Sequence, residues 1–158
     1  MPRLVMCLGN HENRINRAVD NDAKLEGTMS TDDLGYEDFG WEVYSFLEVV
    51  EIDGVLYSHY FPRGPGGTIV QTYRGAPSAK MQAQREAQSC TAGHMQGLQY
   101  WIQPTFGRLI HSIIAGSCYE HDEHYIPSQG AKYWKGVIIK DNVNNGEYSP
   151  RFIRLEDI

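Results

Sequence analysis

The sequence predicts an α/β (α+β) domain with one sheet packed on another and helices outside, and three observations support that class. Residues 4–8, Leu-Val-Met-Cys-Leu, form a continuous apolar run, the pattern of a strand covered on both faces. Asp53-Gly54 lies between two apolar runs, a strong signal for a two-residue hairpin turn. Strand-like segments outnumber helical ones in the second half of the chain.

Taken in order, the elements are these. The strand at 4–8 needs neighbours on both sides. Residues 12–25 contain no Pro or Gly and read as a helix, with Ile15, Ala18, Val19 and Asp22 on its inner face. Residues 26–40 are rich in Gly and Asp and read as a loop, with a short helix opened by Thr31-Asp32-Asp33. Segments 46–52 and 55–59 form the hairpin around Asp53-Gly54. The Gly/Pro cluster at 62–67 is a loop. Residues 76–88 read as a helix with Pro77 in its first turn. Strands follow at 89–92, near 98–103 and at 109–116. A last hairpin pairs 134–140 with 152–155 across an Asn-rich turn at 142–146.

With 158 residues the chain is read as a single domain, 1–158, long enough for its own core. A net charge of −6 supplies no basic field, so nucleic acid enters only as a possible substrate. Cys7, Cys90 and Cys118 are odd in number, lack CxxC spacing and sit in apolar runs. That setting predicts buried, reduced thiols in a cytoplasmic protein. No signal-peptide stretch opens the sequence and no run reaches the roughly 20 apolar residues of a membrane span, so no membrane partner is expected.

Chemistry concentrates in three ordered segments, each closing a strand-like run: Gly9-Asn10-His11-Glu12, Tyr57-Ser58-His59, and Gly93-His94-Met95-Gln96. Polar residues at strand ends are how α/β folds build sites. Asn and His suit a transition metal, and His also serves as a general acid. Together the segments resemble the last three motifs of the calcineurin-like metallophosphoesterases, GNH(E/D), a lone strand-end His, and GHxH. The resemblance implies a four-layer αββα sandwich and hydrolysis of a phosphate mono- or diester by metal-activated water. It implies Asn10, His59 and His94 as ligands of one divalent ion (Mn, Fe or Zn) and His11 as proton donor to the leaving oxygen. The family is dinuclear, with ions about 3.5–4 Å apart.

The sequence departs from the family in two places. Gln96 stands where the second His of GHxH would bind the other ion, leaving an amide oxygen as the ligand there. The family's DxH and GDxxD motifs precede GNH(E/D), whereas here Met1-Pro2-Arg3 leads directly into the first strand. The expectation is an N-terminally incomplete sandwich holding one ion or none. Arg14 and Arg63 are candidate phosphate contacts, and Arg74 is a further one. The acidic and His-rich run Glu120-His121-Asp122-Glu123-His124 reads as a rim, and His111, among apolar neighbours, as a sheet-face residue. Two functions stay open: a metal-dependent phosphoesterase, or a catalytically incomplete fragment or binding module that needs a partner segment.

Overall fold

The computed structural model describes residues 2–62, 76–119 and 133–158, a mixed α+β arrangement of three sheets and two α-helices among those residues. Strand β1 (Leu4–Cys7) pairs in parallel with β2 (Trp41–Tyr44), in the register Leu4↔Trp41 to Cys7↔Tyr44. Between them runs α1 (Asn13–Asn21). The expected helix at 12–25 is therefore shorter. At Asp22 the backbone turns extended and the carboxylate accepts from the Lys24 N–H at 3.1 Å, opening a separate 3-10 turn. A short Asp side chain competes with the helix for backbone donors in this way. Ile15, Ala18 and Val19 are half-buried as expected, but Asp22 is exposed. The residues of β1 are also only half-buried, because β2 is its one strand neighbour among the described residues.

The first strand of the central hairpin is cut down from 46–52 to β3 (Val50–Ile52), and β4 is Val55–Ser58. Asp53 (φ 51°) and Gly54 (φ 80°) make the turn, both in the left-handed conformation that a two-residue hairpin of this twist requires. Next come α2 (Ala79–Glu86), β5 (Cys90–Ala92), β6 (Leu98–Thr105) and β7 (Arg108–Ala115). Helix α2 is shorter than 76–88 because Ser78 caps it, accepting from Met81 N–H, and Pro77 precedes the cap. The five strands lie in the order β3-β4-β5-β7-β6, with β4, β5 and β7 mutually parallel.

The last hairpin, β8 (Gly136–Asn144) and β9 (Glu147–Arg154), is longer than expected. Its turn contracts to Asn145-Gly146, while Asn142 (φ 54°) sits within β8 at a register shift. The hairpin covers one face of the five-stranded sheet through Val55, Ile113 and Tyr148. On the alternate side-chain face, Cys90, Ala92 and Phe61 form a second cluster. There α2 buries Ala79, Gln82 and Ala83, and Gln82 Nε2 donates to the Ile113 carbonyl at 3.3 Å. The His111 side chain is buried on the hairpin face, with Nδ1 2.6 Å from Tyr100 Oη.

Of the three thiols expected to be buried, only Cys90 is; Cys7 is half-buried and Cys118 exposed, and all three are free. Cys118 lies just beyond the end of β7, outside the sheet that covers Cys90. Among the described residues no helix is long and apolar enough to cross a membrane.

Candidate functional site

Parallel strands send their C-terminal ends to one sheet edge, so whatever follows β4, β5 and β7 emerges together. Those segments begin at His59, at Gly93-His94 and at Gly116-Ser117-Cys118. The turn after β1 meets them from the other sheet. Leu8 N–H donates to Tyr44 O at 2.9 Å, which carries β1 on to Gly9. The turn at 9–12 is then closed twice: Asn13 N–H donates to Gly9 O at 3.1 Å, and Gly9 N–H donates to Glu12 Oε2 at 2.7 Å.

The side chains converge at His59. Its Nε2 lies 2.8 Å from Asn10 Oδ1 and 2.9 Å from His94 Nδ1. The backbone fixes the same pairing, since the N–H groups of Gly93 and His94 both donate to His59 O, at 3.0 and 2.9 Å. Aromatic contacts hold the rings. His59 and His94 meet edge to face at 4.8 Å, Tyr60 lies 5.1 Å from His94, and Phe46 lies 5.8 Å from His59. Gly9 is needed for this approach, because a Cβ there would come within 2.9 Å of both Glu12 Oε2 and His59 Cε1.

Around the cluster opens a cleft of about 340 Å³, lined also by His11, Gln96, Cys118 and Tyr119. Burial pushes the His59 pKa down to about 4; neighbouring His94 and His11 push the same way and Glu12 pushes back. Burial, then His11, also lowers His94. Both rings are therefore neutral near pH 7, each with a free lone pair. The tautomer decides which nitrogen donates in these contacts; as ligands, His59 Nε2 and His94 Nδ1 would carry the lone pair and each ring's other nitrogen the proton.

The donor set fits a divalent ion. Ligand atoms about 2.1 Å from a shared ion stand roughly 3.0 to 3.4 Å apart in octahedral or tetrahedral geometry. The two spacings from His59 Nε2, 2.8 Å to Asn10 Oδ1 and 2.9 Å to His94 Nδ1, lie just below the shorter figure. Two imidazole nitrogens and an amide oxygen suit Mn, Fe or Zn. Among the described residues no three His, Cys, Asp or Glu side chains group together, so the convergence depends on the amide of Asn10.

Of the other expected site residues, His11 is exposed at the cleft. Gln96 lines the cleft, and its Nε2 donates to Tyr119 Oη at 2.6 Å. Arg14 is exposed on α1 and is not part of the lining. Arg63, Arg74 and the cluster at 120–124 lie outside the described residues. Sequence reasoning did not place Cys118 and Tyr119 in the cleft. The signal that finds them is strand order, since β7 lies parallel beside β5.

No family model, curated protein or solved structure matches the chain.

Proposed function

We propose that the chain is a metal-dependent phosphoesterase whose ion is held by Asn10, His59 and His94 and whose proton donor is His11. The observation that carries this reading is the meeting of three donor atoms from three separate strand ends, with Asn10 Oδ1 and His94 Nδ1 at 2.8 and 2.9 Å from His59 Nε2. On this reading β1–β2 and the five-stranded sheet belong to the two sheet layers of a calcineurin-like αββα sandwich.

A divalent ion there would supply positive charge to the phosphate oxygens and acidify water. The chain's own residues do the rest. Asn10, His59 and His94 present lone pairs from a packed shelf and so need little reorganisation. His11 sits on the open side of the cleft, where it can protonate a departing alkoxide. Gln96 and Tyr119, bonded to each other, also line the cleft. The substrate is a phosphate mono- or diester.

The test is hydrolysis of bis(p-nitrophenyl) phosphate with Mn²⁺, with a chelator control. We expect chelator-sensitive turnover that falls by about 100-fold in His11→Ala. Turnover unchanged by chelator or by His11→Ala would overturn the reading.

One observation favours a second reading, an incomplete or binding-only module. The one carboxylate among the described cleft-lining residues is Glu12, and it is already taken by Gly9 N–H. A second ion would need carboxylates to offset its charge. Metal uptake without turnover, restored by adding a segment bearing DxH and GDxxD, would select that reading.

A further inference from the structure

A second cavity, of about 520 Å³, lies between the five-stranded sheet and the β8–β9 hairpin. Ala115, Val137, Ile138 and Val143 form its aliphatic part, and Tyr57, Thr91, Ser117 and Cys118 add polar groups to the lining. The one formally charged side chain among its described lining residues is Lys140. Lys140 Nζ donates to Tyr57 Oη at 2.8 Å and to Thr91 Oγ1 at 2.6 Å. It also lies 4.1 Å from the Tyr57 ring centroid and 5.0 Å from that of Tyr148.

An ammonium has three N–H donors, and these two bonds use two of them. No carboxylate pairs with Lys140 among the described residues. The chain has thus placed a cation against an apolar chamber, held it with two hydroxyls and two rings, and left one donor open. Burial lowers the Lys140 pKa to about 7, so a negative ligand would restore what the amine loses by leaving water. The volume is that of a small-molecule site.

We propose that this cavity binds a small amphipathic carboxylate, its head group accepting from Lys140 Nζ and its hydrocarbon tail lying along Val137, Ile138 and Val143. This site is separate from the histidine cleft and does not depend on its chemistry. The two share only the wall at Gly116, Ser117 and Cys118.

The experiment is calorimetric titration of the full chain at mildly acidic pH with decanoate, kept below its micellar concentration, and with decanol. Decanoate should bind more tightly than decanol by about tenfold or more, since a hydrogen bond to a charged group is worth that much. Lys140→Met, which keeps the stem and removes the charge, should weaken decanoate to the level of decanol. Val143→Trp should weaken both by filling the chamber. Circular dichroism establishes that each variant is folded, and the decanoate–decanol comparison needs no variant. No binding to the folded wild type, equal binding of the two probes, or decanoate binding untouched in folded Lys140→Met would each overturn the proposal.

Discussion

Gly9 has a histidine ring and a carboxylate where other residues carry a side chain. A methyl group there must displace His59 or break the Glu12 bond to the Gly9 N–H, because each lies 2.9 Å from the added carbon. Gly9→Ala should therefore cost about 1–3 kcal/mol of stability and lower metal affinity by about tenfold or more, read by chemical denaturation and by Mn²⁺ or Zn²⁺ titration. A variant as stable and as tight as wild type would show that the turn at 9–12 does not seat His59. The three ligands themselves should be more sensitive. His59→Ala or His94→Ala should abolish uptake, and His121→Ala should leave it nearly intact. Greater damage from His121→Ala would move the site elsewhere. At this scale much was legible: Asn10, His59 and His94 were named from their motifs and do converge. Tyr60, Phe46 and Tyr119 were not, because ring contacts and cleft walls depend on how loops cross, and local spacing does not encode that.

Hairpin turns were the most legible elements and strand limits the least. Asp53-Gly54 and Asn145-Gly146 both adopt the left-handed turn that their residue types announce. The two turns also touch, with Gly146 N–H donating to Asp53 O at 2.9 Å. A Cβ on Gly54 would fall 2.6 Å from the backbone of Asn145 and Gly146. Gly54→Ala thus combines a φ of 80° with a backbone collision, and should cost about 2–4 kcal/mol in urea unfolding. A cost below about 0.5 kcal/mol, the usual range of surface changes, would mean that the turns do not bear on one another. Strand β2, by contrast, was hidden. Its pairing partner, β1, lies 37 positions earlier in register, as in Leu4↔Trp41, and the intervening helix leaves no local sign of it. Residues 46–49 look strand-like from their apolar content, but Leu47 adopts a φ of 68° and breaks the run before β3. Long-range pairing and one unfavourable dihedral outweighed local propensity here.

Across the whole molecule, the class was readable and the layering was not. Apolar periodicity announces strands and helices, but not that β8–β9 docks on the face carrying Val55 and Ile113 while α2 takes the other. A half-buried lysine on β8, Lys140, helps join that hairpin to the sheet through Tyr57 and Thr91, and it gives the fold a pH dependence whose sign can be worked out. In the unfolded chain Lys140 titrates near its ordinary 10.5; in the fold, burial moves it to about 7. Between those values the unfolded chain holds a proton that the folded chain lacks, so stability rises with pH across that window. Below about 7 both states are charged, and the burial penalty is complete and constant. Three groups facing or near the amine act oppositely. Burial raises the Cys90 thiol above 9.0, holds Tyr57 up at about 12 and raises Tyr148, so each keeps its proton in the fold when the unfolded chain gives it up. Their effect begins near pH 9 and pulls stability down from there. Denaturation midpoints measured from pH 7 upward in wild type and Lys140→Met separate the contributions, because the thiol and phenols are common to both proteins. The wild type should gain stability relative to Lys140→Met as pH rises from about 7 to 9, and the difference between the two should be constant below about 7. Parallel profiles would mean that the Lys140 amine is as well solvated in the fold as out of it, and that the hairpin is held by its apolar face alone.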